Sequence, residues 1–500
     1  MYCHRIILVN PPPDYDPHLF TRFRPGQGTQ WPIGPLLLGT CLKRAGFEVR
    51  IIDGQVVDCA AELQRELALD RLLWVGFSVM SSQFQQARDL SRLVRRLAPG
   101  LPVVWGGFHP TLFPESCLEN DFIDHVVRGE ADRAIVQLGR ALQDGSPLEQ
   151  VGNLAFRHRE GVMLNPLLPL SDMADMPRPD ETLLDDYRVY FSRQDVLGRP
   201  ARGTILLTGM GCNLKCSFCR NAILREKHRR LEAEAIYSEM VRLHAAHGVD
   251  EFGLVDENFF ADRPRLWRFL ELLEQSPVRF RWSTNLRANY VRDGYLDRDF
   301  LARIAASGGY YFSVGAESGD PAILKKIRKG IRVEHLRNLA RWTRGLDIII
   351  TYSFMAAIPG ESCDMTLRTF RLIRELQAID PQSRIIGPQV FRPYPGSPLF
   401  QEAVTMGLQV PRDWNNAEDF FRTLFQFRQI SPQAIPWHPE PERFKYMLLS
   451  FSILLFRMNT PLRRLLLGPL HLLSTLRLNS GFYRWFFEKW LLDAINARLT

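Results

Sequence analysis

Apolar and polar positions follow two long alternating stretches in this chain. In the first, Arg5–Val9, Val49–Asp53, Leu73–Ser78, Val103–Trp105 and Val126–Val127 are compact apolar runs of strand length. Between them, Leu36–Ala45, Cys59–Leu69, Phe84–Ala98 and Asp132–Leu142 carry helical periodicity. Strands alternating with helices in this way predict a parallel sheet wound on both faces. The rhythm breaks after residue 150. Asn153–Arg157 and Val162–Leu164, split by Glu160-Gly161, read as a hairpin, and five prolines between 166 and 200 punctuate a linker. From Thr204 the alternation resumes, with strands at Thr204–Thr208, Phe252–Val255, Phe280–Ser283, Tyr310–Val314, Ile348–Met355 and Ile385–Phe391. Helical segments lie between them. Six such units fit a (β/α)6 partial barrel, whose chemistry gathers at the strand C-termini. The expected class is α/β: a doubly wound domain over 1–150, a linker over 151–200, a barrel over 201–410 and an α-helical region over 411–500.

Length and composition bound this picture. At roughly 100–200 residues per domain, 500 residues make about three domains. A chain 46% hydrophobic and 24% charged is neither largely disordered, nor collagen-like, nor a polytopic membrane protein. The net charge of +8 allows an anionic partner and requires none. That charge is unevenly placed, since residues 451–500 hold seven Lys/Arg against two acids. With Trp, Phe and Leu between the cations, the segment 446–500 reads either as a helical cap on the barrel or as an interfacial helix touching a membrane surface. The longest nearly apolar run, Tyr446–Phe456, is well short of the roughly 20 residues that span a bilayer. The first ten residues lack the apolar stretch of a secretory signal, so a cytoplasmic protein with at most peripheral membrane contact is expected.

The eight cysteines carry the most specific signal. Cys3, Cys41, Cys59, Cys117 and Cys363 are scattered, whereas Cys212, Cys216 and Cys219 fall within eight residues just after the first barrel strand. Closely spaced thiolates on a loop suit iron–sulfur or zinc ligation. A structural zinc site wants a fourth Cys or His, and the nearest, His228, lies in a basic stretch over 225–230 that reads as a solvated face. Three ligands with an open fourth position favour a cluster.

The segment Cys212-Asn-Leu-Lys-Cys216-Ser-Phe-Cys219 resembles the C-x3-C-x-Φ-C motif of the radical S-adenosylmethionine (SAM) superfamily, with Phe218 at the aromatic position. The resemblance implies a [4Fe-4S] cluster on the three cysteines, with SAM bound at its open iron. It places further SAM contacts at the ends of later strands. Asp256 and Glu257 would accept hydrogen bonds from the SAM ammonium, or else cap the helix starting near Arg263. Arg287 would pair with the SAM carboxylate, or else lie in solvent. Glu317 and Ser318, in Gly315-Ala-Glu-Ser318, match the family's Gly-x-Glu-Ser pattern, where the acid binds ribose hydroxyls. Met355–Glu361 resembles the family's Gly-Φ-Pro-Gly-Glu turn, with Ala357 in place of the first glycine, and Pro393–Pro398 resembles the segment that ends the barrel.

Upstream, Pro32–Leu38, Gly76–Ser82, Gly106–Thr111 and Arg128-Gly-Glu130 follow the order seen in the cobalamin-binding class of this superfamily. The resemblance implies a Rossmann-like cobalamin domain with contacts from Ser78, Ser81, Ser82, Gly106, Gly107, His109, Gly129 and Glu130. The Asp-x-His-x-x-Gly marker of cobalt-ligating domains is missing, because Asp53-Gly-Gln55 has no histidine at that spacing. His109 follows a different strand and reads as a hydrogen-bonding loop residue.

Membership of this class implies a methyltransferase acting on an unactivated carbon of a small-molecule substrate. Its cofactors would be the cluster, SAM and cobalamin, and its electron source a donor such as flavodoxin or ferredoxin. A cyclase or rearrangement enzyme with the same cofactors is the alternative. An RNA-modifying or RNA-binding protein is a third reading, but the chain shows no basic, aromatic RNA platform and no nucleic-acid partner is expected. The apolar C-terminal region points to a hydrophobic substrate.

Overall fold

The structure, a computed structural model, describes residues 4–14, 29–69, 71–159, 161–195, 197–224, 227–411, 420, 434–455, 461–481 and 483. Its N-terminal sheet contains β1 (Arg5–Asn10), β2 (Glu48–Asp53), β3 (Leu72–Ser78), β4 (Val103–Gly106), β5 (His125–Val127), β6 (Leu154–His158) and β7 (Gly161–Leu164), in spatial order 2-1-3-4-5-6-7. The first five strands run parallel, and β6 and β7 are antiparallel. Both faces are covered. Ile6 and Leu8 point into one apolar core while Ile7 and Val9 point into the other, and all four are buried. Two-sided burial is why these strands read as continuous apolar runs. The hairpin read from residues 153–164 completes this sheet, so a segment expected to be linker extends the first domain.

A second sheet holds β8 (Ser192–Gln194), β9 (Pro200–Leu207), β12 (Glu251–Val255), β13 (Arg281–Asn285), β14 (Gly309–Glu317), β15 (Ile349–Ala356) and β16 (Arg384–Val390), in that order from one edge to the other. The six from β9 onward are parallel, and β8 pairs antiparallel to β9. A small ribbon, β10 (Gly209–Met210) with β11 (Arg229–Arg230), stands at the C-terminal end of β9. One hydrophobic core runs from the inner face of the N-terminal sheet through the barrel's surroundings to the C-terminal helices.

The helix Pro441–Leu454 belongs to that core. Its Phe451 ring stacks on Phe370 of the helix Cys363–Ile379 at 3.9 Å, and Trp437 just ahead donates to the Ala357 carbonyl at 2.6 Å. The apolar run at 446–455 is therefore a cap on the barrel and not an interfacial segment. The helix Pro461–Ser480 packs beside it and leaves Leu472 and Leu476 exposed. The rest of the basic tail, 484–500, lies outside the described residues. No described helix is long and apolar enough to cross a membrane.

Candidate functional site

The loop after β9 carries Cys212, Cys216 and Cys219 at the C-terminal end of the barrel. Cys216 is buried and the other two are half-buried, and all three are free thiols. Burial pushes the thiols of Cys212 and Cys219 up. Backbone N–H groups of Leu214 and Asn221 and the charges of Arg287, Arg220 and Lys329 act in the opposite sense. Amide donors and cations turned toward sulfur are what a set of metal-bound thiolates needs. Among the described residues no three His, Cys, Asp or Glu side chains converge on one ion position. Each thiolate of a cluster holds a different iron, so a cluster does not require that convergence.

Arg287 is not a solvated loop residue. Its Nη1 lies 3.6 Å from Cys216 Sγ, its Nη2 donates to the Lys329 carbonyl, and its Nε donates to Asn289 at 3.2 Å. Lys329 in turn pairs with Glu317 at 2.6 Å and sits 5.6 Å from the centre of the Phe218 ring. Cys216, Phe218, Arg287 and Glu317 thus converge, joined by a lysine that the sequence reading missed. The only hint of Lys329 is its place in the basic run Lys325–Arg332. Glu317 adopts a left-handed backbone (φ 63°) that turns its carboxylate onto Lys329. Its carboxylate already carries this partner.

Two expected SAM contacts are buried with partners inside the protein. Asp256 is fully buried and accepts from His228 Nε2 at 2.8 Å, Arg265 Nη2 at 3.0 Å and the Asn258 amide at 2.7 Å. It does not cap the following helix, whose cap is Asp262. Burial raises its carboxyl, but these three donors outweigh burial and hold it below the usual range. His228 is correspondingly buried, contrary to the solvated-face reading of 225–230, because a carboxylate at the end of β12 needs donors. Ser318 is also buried, its hydroxyl bonded to Thr369 Oγ1 and to the Asp320 amide. Glu257 differs, since it reaches the surface and pairs with Arg220 at 2.7 Å.

In the N-terminal domain, a cavity of about 420 Å³ lies between the sheet and its helices. Leu8, Leu37, Leu38, Trp74, Phe77 and Ile135 make it mostly apolar, and Ser78 and Thr111 add hydroxyls at its wall. Gly106, Gly107, Gly129 and Glu130 line it as well. Gly107 has φ 101° and ψ −167°, and a Cβ there would meet Val79 N and O at 2.9 Å, so only glycine fits. Ser81, Ser82 and His109 do not line the cavity. His109 is buried between the rings of Phe84 and Phe113, with Nδ1 hydrogen-bonded to Ser81 Oγ at 3.1 Å, and burial pushes it down to about 3. It is neutral and packed between these rings.

The cavity wall is completed by the barrel. Met210, Arg220 and Leu224, all from the cysteine loop and its flanks, line it too. The domains are pinned at this seam by a two-pronged ion pair, in which Arg229 of β11 donates through both terminal nitrogens to the Glu130 carboxylate. Phe108 meets Tyr394 edge-on at 6.5 Å on the same side. The expected cobalamin contact Glu130 is therefore engaged by the barrel.

Family comparisons agree with this division. The B12 binding domain model matches residues 26–139, and the radical SAM superfamily model matches residues 206–373. An uncharacterized methyltransferase of Pyrococcus horikoshii is 26% identical over 422 residues, covering 82% of this chain and 85% of that one. The anaerobic magnesium-protoporphyrin IX monomethyl ester cyclase of Synechocystis is 27% identical over 372 residues, covering 71% of each. Among solved structures, the radical SAM methyltransferase TsrM from Kitasatospora setae, with cobalamin and a [4Fe-4S] cluster bound, superposes with a TM-score of 0.62 at 20% identity, covering 82% of this chain and 76% of that one. The chain belongs to the radical SAM superfamily, as an enzyme whose barrel follows a B12-binding domain.

Proposed function

We propose that this enzyme transfers a methyl group to an unactivated carbon of a small-molecule substrate. The observation that carries the reading is the shared wall, where the cavity of the B12-binding domain is closed by the loop bearing the three thiols. Cys212, Cys216 and Cys219 hold the cluster, and the cavity with Gly106, Gly107 and Gly129 takes cobalamin. When bound, the cluster with SAM supplies a carbon-centred radical and cobalamin supplies a transferable methyl group.

The protein's part is positioning and shielding. Arg287 lays a cation beside Cys216 Sγ and steadies the thiolate charge. Phe218 and the Lys329–Glu317 pair fix the floor below it. Glu257, the one expected carboxylate that reaches the surface, takes the SAM ammonium while Arg220 holds it in place. Met210 and Leu224 keep water from the junction. A one-electron donor of the flavodoxin or ferredoxin kind serves the cluster. Exposed Leu472 and Leu476, one helical turn apart, support peripheral contact with a membrane surface in the cytoplasm.

Anaerobic reconstitution, iron and cobalamin quantitation, and product analysis test this. The expected product is one methyl heavier, with S-adenosylhomocysteine and 5′-deoxyadenosine formed in equal amounts. Replacing Cys212, Cys216 and Cys219 by Ala abolishes bound iron and deoxyadenosine together. The Synechocystis relative favours a cyclase as the second reading. A substrate-dependent product without added methyl, and without S-adenosylhomocysteine, selects it. Iron without cobalamin binding refutes both.

A further inference from the structure

The segment Lys325–Arg332 holds five cations in eight residues and no acid. It lies directly on the cysteine loop. The Ser217 amide donates to the Ile327 carbonyl at 3.0 Å, Ser217 Oγ donates to the Lys326 carbonyl at 3.3 Å, and Arg287 bridges the Lys329 carbonyl to Cys216 Sγ. Two of the five cations are neutralised, Lys329 by Glu317 and Lys326 by Glu402. The other three, Lys325, Arg328 and Arg332, are exposed, as is Lys215 between the first two cysteines of the loop. None of these four has a carboxylate within 4 Å among the described residues. Cys216 is the buried thiol of the three, 6% exposed, and this segment covers it, so an electron reaching the loop through Cys216 passes through these residues.

From this placement we infer that Lys215, Lys325, Arg328 and Arg332 form the docking surface for a small acidic electron carrier. The inference rests on the cluster assignment above. Electron-transfer encounters are small and short-lived, and complementary charge supplies their orientation and rate. Cations with no carboxylate partner among the described residues, over a short covalent and hydrogen-bonded route to Cys216, meet both needs. In each encounter one electron passes from the carrier's reduced flavin to the cluster, and no bond forms or breaks. A nucleic acid or an anionic membrane would also be drawn to positive charge, but neither needs the route to Cys216.

The test compares the full-length protein with Lys325→Glu/Arg328→Glu and the milder Lys325→Gln/Arg328→Gln. Binding of oxidised flavodoxin is titrated at several salt concentrations, a readout that needs no turnover. Deoxyadenosine formation is then driven either by reduced flavodoxin or by dithionite. For the wild type, binding weakens steeply with salt. The charge reversal raises the flavodoxin Kd at least tenfold and slows flavodoxin-driven cleavage in step, with the Gln variant between. Dithionite-driven cleavage is unchanged. An unchanged Kd overturns the proposal, as does equal loss with both reductants or equally tight binding of an RNA that competes flavodoxin away. Wild-type protein without cluster iron or dithionite-driven cleavage sinks the functional reading instead, and the binding titration still decides the docking surface.

Discussion

Replacing Asp256 by Asn separates two readings of one carboxylate. In the sequence it looks like a SAM contact; in the structure it is the counter-charge of Arg265. The side chains of Asp256 and Arg265 are 0% and 1% exposed, with 3.0 Å between the charged groups. Asparagine keeps the size and the acceptor for His228 but strands the guanidinium. Leaving one member of a buried pair uncompensated costs about 3–5 kcal/mol. At roughly 2–4 °C per kcal/mol for a unit the size of this barrel, the apparent melting temperature falls by about 6–20 °C. Desolvation of two buried charges offsets much of their attraction, so an intact buried pair adds little net stability of its own. The double variant Asp256→Asn/Arg265→Met is therefore expected to recover at least half of the loss, since it removes the uncompensated buried guanidinium. The assay is thermal unfolding at one fixed scan rate, together with the KM for SAM. A melting temperature within about 2 °C of wild type, with a raised KM for SAM, would refute the structural role and restore the ligand role.

Four other outcomes follow from the geometry. Glu130→Gln and Arg229→Met each lower kcat about tenfold or more while iron and cobalamin contents hold, because displacement of reacting groups by about 1 Å costs up to 10²-fold; unchanged kcat removes the seam's role. His109 is pushed down to about 3 in the fold against an ordinary 6.5, so its contribution is present above pH 6.5 and lost as pH falls toward 3. His109→Phe removes about 1.4 kcal/mol per pH unit from that acid slope and leaves the cobalamin absorption spectrum unchanged; a spectral shift would mark His109 as a ligand. Gly107→Ala costs about 1–3 kcal/mol of backbone strain and lowers bound cobalamin, and full cobalamin content would contradict the close approach drawn at Val79. Leu472→Glu/Leu476→Glu abolishes liposome binding while the melting temperature holds, and unchanged binding removes the membrane contact.

Strands buried on both sides announce themselves as apolar runs, which is why β1 and β3 stand within one residue of their observed ends, while the barrel strands, less evenly buried, stand within four. The cysteine loop was legible for a different reason, since three rare residues at fixed spacing carry their own geometry. Charged residues were not legible in this way. Asp256, His228 and Arg265 look like exposed or ligand-facing groups, because the sequence does not show which carboxylates are buried together. The same holds for Glu130, whose partner Arg229 lies 99 residues away. The hairpin at 154–164 was recognised as a hairpin but assigned to the linker, since pairing with β5 is a long-range choice that no local pattern records.

The seam between the domains explains why this charge pattern is needed. Each domain carries its own apolar core face and the residues proposed for its own cofactor, so neither fold by itself fixes the distance between them. Apolar contact across the junction is non-directional and tolerates sliding. The Arg229–Glu130 fork is directional, because a planar guanidinium meets a carboxylate in one bidentate geometry. It joins β11, one ladder away from the strand that leads into Cys212, to the residue after Gly129 at the cavity wall. Substituting lysine at Arg229 keeps the charge and loses the fork. If the fork sets the registration, Arg229→Lys lowers kcat with cobalamin and cluster loading intact, and a lysine variant with wild-type kcat would show that charge alone suffices.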